Sequence, residues 1–97
     1  MSVISFDTEK LFAICQENDV SMLAVFGSVA RGEASEQSDI DLLVKFSKGK
    51  GLLALVRLER ILSEALGRKV DLLTEAAISP YIRDNILNDL QVLYGTR

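Results

Sequence analysis

The strongest constraint on this chain is a helical period from Leu52 to Leu66 set between two short apolar runs. Leu55, Leu58, Ile61, Leu62 and Leu66 recur at intervals of three and four, which draws one stripe along an α-helix. Arg57, Glu59, Arg60 and Glu64 supply the polar face, and Gly67 follows as a C-terminal stop. Asp39 to Phe46 before it and Val70 to Leu73 after it are too short for helices and read as strands. A strand, a crossover helix and a second strand make a βαβ unit, whose strands run parallel through a right-handed connection. The expected class is therefore α/β (α+β): a small mixed β-sheet with helices packed mainly on one face.

The rest of the chain fits round that unit. Residues 5–18 are expected to form a first helix. Ser5 or Asp7 caps it, and acidic Asp7 and Glu9 stand in its first turn. Its apolar side is Leu11, Ile14 and Cys15, with Phe12 beside them, and Asn18-Asp19 breaks the pattern. Val20 to Phe26 reads as a buried strand. Residues 28–31 are expected to form a short helix and Gly32 to Ser38 a polar loop. Ser38 has two readings, a local bond to backbone at the strand entry or an ordinary loop serine. Ser47 to Gly51 is a loop in which Lys48 and Lys50 either touch phosphates or a partner or, the favoured reading, are solvated. Ser79-Pro80 should open a last helix at its first turn, with Tyr81, Ile82, Ile86, Leu87 and Leu90 as its apolar stripe. Gln91 to Tyr94 reads as a terminal extended piece. Together these elements suggest one domain over residues 1–97.

Composition narrows the chemistry. Hydrophobic residues make up 48% of the chain, too many for a disordered one. The net charge of −3 argues against a broad nucleic-acid surface. Histidine is absent, which leaves carboxylates as bases and metal ligands. The single cysteine, Cys15, lies in the apolar helical pattern and is expected to be a reduced core thiol in the cytoplasm. No signal pattern opens the chain, and no apolar run is long enough to span a bilayer.

Most of the residues able to carry chemistry fall in one stretch, Gly27 to Val44. Side chains alternate along a strand, so Asp39 and Asp41 share a face, roughly 7 Å apart. Oxygen ligands of this kind suit magnesium, which is commonly held by one or two carboxylates together with substrate phosphates. Gly27 lets backbone approach a ligand closely, and the N–H groups after it, at a helix start, are ready donors to an anion. Asp71, on the second strand of the βαβ unit, has two readings. It joins Asp39 and Asp41 at one end of the sheet, or it pairs with Arg68 or Lys69.

Gly27-Ser28, Ala30-Arg31-Gly32 and Ser38-Asp39-Ile40-Asp41-Leu42 together resemble the signature of the DNA polymerase beta-like nucleotidyltransferases. More narrowly they resemble the minimal nucleotidyltransferase (MNT) branch, many of whose members are antitoxins paired with HEPN-fold ribonuclease toxins. The resemblance runs from about Val20 to Tyr94 and implies the polymerase beta-like nucleotidyltransferase fold. It implies that Asp39, Asp41 and Asp71 are catalytic and hold two Mg²⁺ ions (Mn²⁺ as a substitute), with Asp71 also accepting a proton. Gly27 and Ser28 would bind the β- and γ-phosphates of ATP. Arg31 either neutralises a triphosphate oxygen or pairs with Glu33 or Glu36. The implied activity is transfer of AMP to a hydroxyl, a tyrosine of a HEPN-type toxin. Larger relatives carry further domains for their acceptors, so here the acceptor is expected to arrive on a partner protein. The alternative is a non-catalytic antitoxin that neutralises its partner by contact.

Overall fold

The computed structural model describes residues 8–27, 32 and 39–96. The expected N-terminal caps Ser5 and Asp7 lie outside the described residues. So do the short helix over 28–31 and nearly all of the polar loop, including Ser38. Among the described residues, seven helices and strands follow in order: α1 (Thr8–Glu17), β1 (Val20–Phe26), β2 (Ile40–Phe46), α2 (Leu52–Leu66), β3 (Val70–Thr74), α3 (Arg83–Asp89) and β4 (Gln91–Gly95). A single turn of 3₁₀ helix, Glu75–Ala77, joins β3 to the approach of α3.

The sheet order is β3-β2-β1-β4. β2 and β3 run parallel, joined by α2, as the βαβ reading requires. β1 lies antiparallel to both β2 and β4, so the sheet is mixed. Alternation sorts the side chains onto two faces. Leu23, Val25, Ile40, Leu42, Val44, Val70 and Leu72 meet Leu11, Ile14 and Cys15 of α1 and Leu58 and Leu62 of α2. Met22, Ala24, Phe26 and Leu43 turn to the other face and pack with Ile78, Leu73, Ile86 and Leu90. The first face carries the larger core. The second carries a smaller cluster, covered among the described residues by Ile78 and α3.

α2 has the bounds its sequence reading gives it, Leu52–Leu66. It ends at Gly67, whose φ of 67° lies in the left-handed region and whose N–H donates to the Ser63 carbonyl. One residue departs from that reading. Glu59 does not belong to a solvated face: its carboxylate accepts the Leu72 N–H at 3.2 Å. One turn on, the Ser63 hydroxyl accepts the Val70 N–H at 3.1 Å. β3 is an edge strand, and an edge with open N–H groups invites pairing with another chain. α2 covers that edge with polar side chains.

The last helix starts later than Ser79-Pro80 suggests. Ser79 does accept the Ile82 and Arg83 N–H groups, each at 3.1 Å, but residues 80–82 form a turn and α3 begins at Arg83. The expected apolar stripe is correspondingly reduced. Tyr81 is 94% exposed, whereas Ile86 and Leu90 do pack on the sheet.

Lys48 and Lys50 are not purely solvated. Lys50 meets the Asp19 carboxylate at 2.8 Å and Lys48 lies 3.9 Å from it. Both cations hold the Asp19 carboxyl below its usual range, with the Lys50 hydrogen bond the larger cause. Asp19 has a φ of 56°, and its carbonyl accepts the Ser47 N–H at 2.8 Å. These contacts tie the α1–β1 turn to the loop after β2, at the end of the sheet away from Asp41. Cys15 is 1% exposed, and burial pushes its thiol up to about 11, so it is inert at neutral pH. No helix among the described residues is long and apolar enough to cross a membrane.

Candidate active site

β1 ends at Phe26, which pairs with Asp41, and Asp41 in turn pairs with Asp71 across the parallel ladder. Adjacent strands lie about 4.8 Å apart, so the Asp41 and Asp71 backbones are immediate neighbours. Registered partners share a face, and this is the face of Phe26 and Leu43. Both aspartates are half-buried. Like charges directly opposite one another destabilise a sheet, so stability alone does not account for two carboxylates in one row.

Gly27 follows Phe26 directly, at a φ of 74°. A Cβ built there would fall on Asp41 Oδ2 and lie 3.3 Å from its Cγ. The absence of a side chain is what lets the backbone lie against the Asp41 carboxylate. Close backbone approach was the sequence argument for this glycine. The structure shows that the group approached is one of the candidate catalytic carboxylates.

Asp39 immediately precedes β2, two residues from Asp41. Its carboxylate lies 3.8 Å from Lys69 Nζ. Lys69 thus pairs with Asp39, not with Asp71, one of the alternatives the sequence left open for it. Asp39 and Lys69 continue the register of Asp41 and Asp71 one step beyond the ladder, since Ile40 pairs with Val70 and its N–H donates to the Lys69 carbonyl at 3.0 Å. Both side chains are exposed, so this ion pair contributes little to stability. Ser28 and Arg31 lie outside the described residues.

A cleft of about 260 Å³ opens beside Gly27. Phe26 and Gly27 form one wall; Ile82, Asn85, Ile86 and Asp89 form the other. Sequence reasoning treated this helix as packing alone and missed Asn85 and Asp89. A signal was present: residues 82, 85, 86 and 89 are spaced as one helical face, and that face is half polar.

Among the described residues, no three of the His, Cys, Asp and Glu side chains are gathered into a group able to hold a metal ion. The donor chemistry nonetheless fits a hard divalent cation. Asp41 and Asp71 supply carboxylates in one row, Asp39 adds a third at its mouth, and magnesium usually completes its shell with substrate phosphates and water.

Known proteins share the sequence and fold of this chain. Residues 8–93 match the family model described as "Nucleotidyltransferase domain". A Methanocaldococcus jannaschii chain bearing the name "putative protein adenylyltransferase" is 49% identical over 80 residues, which cover 82% of this chain and 86% of that one. The protein adenylyltransferase MntA of Thermococcus cleftensis is 39% identical over 71 residues, 73% of this chain and 72% of the relative. A solved structure described as a minimal nucleotidyltransferase superposes with a TM-score of 0.74 at 40% identity, covering 87% of this chain and 86% of that one. The fold is shared, at a TM-score of 0.78 and 24% identity, with a chain of a toxin–antitoxin crystal structure containing AMP-PNP, over 95% of this chain and 76% of that one. A further fold neighbour comes from a complex of tri-AMPylated Shewanella oneidensis HEPN toxin with MNT antitoxin. Its TM-score is 0.68 at 23% identity, over 92% of this chain and 70% of that one. The family match over residues 8–93 and the relatives' identity show that the chain belongs to the nucleotidyltransferase domain family, in its minimal branch, and is an enzyme of the nucleotidyltransferase class.

Proposed function

We propose that this protein is a cytoplasmic antitoxin that transfers AMP from ATP to a tyrosine hydroxyl of a HEPN-type ribonuclease toxin and so silences it. The observation that carries the reading is the row formed by Phe26, Asp41 and Asp71, with Gly27 lying against the Asp41 carboxylate. The names of the adenylyltransferase relatives and the AMPylated toxin bound by one fold neighbour support the choice of AMP and of partner.

In this reading Asp39, Asp41 and Asp71 hold Mg²⁺ together with the triphosphate. Bound there, Mg²⁺ offsets the negative charge that builds on the phosphate oxygens as the acceptor attacks. Gly27, Ser28 and Arg31 bind the phosphate chain, and the cleft beside Gly27 receives part of the nucleotide. Its apolar walls, Phe26, Ile82 and Ile86, suit a base, and the polar side chains of Asn85 and Asp89 can orient it. The tyrosine oxygen attacks the α-phosphorus, the bond to the β-phosphate breaks, and pyrophosphate leaves. Asp71 accepts the phenolic proton. The product carries bulk and a negative charge on the toxin's tyrosine, both of which oppose RNA phosphates near a cleavage site.

The test is mass spectrometry of the co-expressed partner. Wild type should add adenylyl mass to a tyrosine of the partner, and Asp39→Ala should abolish it. A partner that stays unmodified yet is neutralised equally by wild type and by Asp39→Ala would establish inhibition by contact instead.

A further inference from the structure

The chain has two tyrosines, and the structure puts them in opposite situations. Tyr94 is half-buried, with its ring edge against Phe12 at a centroid distance of 5.2 Å and an interplanar angle of 70°. It pairs with Leu23 across the β1–β4 ladder and packs with the larger core, on the face opposite Asp41. Its hydroxyl is therefore carried away from the site.

Tyr81 is 94% exposed and sits on a segment whose flanking residues pack on the other face. The segment that bears it is fastened at both ends to the apolar cluster on the side of Asp41 and Asp71, through buried Ile78 before it and Ile86 after it. The next residue, Ile82, is part of the wall of the cleft that Gly27 closes on its far side. The turn is ordered locally: the Ser79 hydroxyl accepts the Tyr81 N–H at 3.4 Å, and the Ser79 carbonyl accepts the next two N–H groups. An exposed phenol thus stands on a fastened turn, one residue before a wall of the candidate nucleotide cleft. Exposure alone would not single it out, since isolated exposed apolar residues are common. The packing of its flanks and its position beside Ile82 do.

We propose that Tyr81 is itself an acceptor, so that this protein adenylylates its own chain at Tyr81. The proposal rests on the adenylyl-transfer reading above. The Tyr81 oxygen bonds to the α-phosphorus of ATP, the bond between the α-phosphorus and the bridging oxygen breaks, and pyrophosphate departs. The phenolic proton passes to a carboxylate of the site or to water. No oxidant or further co-reactant is needed.

The test uses the full chain with Mg²⁺ and ATP, once alone and once with its toxin partner, followed by digestion and mass spectrometry. The expected result is one adenylyl group on the peptide containing Tyr81, lost in Tyr81→Phe and in Asp41→Asn and retained in Tyr94→Phe. Tyr81 is exposed, so Tyr81→Phe should fold as wild type does; circular dichroism checks this and the fold of Asp41→Asn. Absence of label on Tyr81, from a preparation that does label the partner, would overturn this inference and leave the proposed function standing. Label elsewhere on the chain that persists in Tyr81→Phe would also overturn it. Absence of label from both proteins would remove the adenylyl-transfer reading and this inference with it.

Discussion

Gly27→Ala separates the architecture of the site from its chemistry. Two costs are built into this substitution. The first is backbone strain: at a φ of 74° an L-residue costs about 1–2 kcal/mol. The second is local, because the new methyl group falls on the Asp41 carboxylate, which must move by on the order of 1 Å to restore ordinary contact. A displacement of that size in a catalytic group costs about 100-fold in rate. Gly67→Ala supplies the control. Its φ of 67° imposes comparable strain, and nothing lies within 4 Å of its added Cβ. Urea unfolding of both variants should show losses of about 1–2 kcal/mol each, equivalent to roughly 4–8 °C per kcal/mol in a domain of this size. Adenylyl-transfer rates measured on the folded fraction should diverge, with Gly27→Ala slowed about 100-fold and Gly67→Ala close to wild type. Equal rates for the two variants would refute the idea that Gly27 is there to let backbone lie against Asp41.

Three further expectations follow from other parts of the molecule. Asp71→Asn keeps the shape of the side chain and loses its basicity. Single-turnover rate should fall by about 10²–10⁴-fold while Mg²⁺–ATP affinity measured by calorimetry changes far less, and an unchanged rate would return Asp71 to a structural role. Glu59→Ala strips the acceptor from the Leu72 N–H on the outer edge of β3 and should cost about 1–2 kcal/mol in urea unfolding. Arg57→Ala, on the solvated side of the same helix, should stay within about 0.5 kcal/mol. Cys15 has a thiol raised from 9.0 to about 11, so its stabilising contribution is complete below pH 9 and is lost as pH rises towards 11. A thiol reagent at neutral pH should leave native protein unlabelled and react fully in urea.

Much of this fold was legible because its period and punctuation agree. The Leu52–Leu66 stripe, its closing Gly67 and the short apolar runs on either side dictate a parallel pair, and that pair sets Asp41 beside Asp71. What the period does not reveal is which polar residues turn inward. Glu59 sits among charged neighbours on α2, and only the position of β3 makes its carboxylate an edge acceptor. Lys69 is one of the two partners the sequence offers Asp71, and it stands at Asp39 instead, because the register carries it one step beyond the ladder. Tyr81 and Ile82 read as core because they are large and apolar at helical spacing. The turn over 80–82 delays α3 and leaves Tyr81 in solvent, while Ile82 becomes a cleft wall. The cleft itself joins β1 to α3, elements more than fifty residues apart in sequence, and no local pattern records their meeting.

In the proposed reaction the Asp41–Asp71 row directs attack to the α-phosphorus of ATP. The most direct measurement incubates the protein and its toxin partner with Mg²⁺ and ATP carrying label at either the α- or the γ-phosphate. The expected result is α-label on a partner tyrosine, no γ-label, and neither in Asp41→Asn. Entry of γ-label, or α-label that survives Asp41→Asn, would contradict the account.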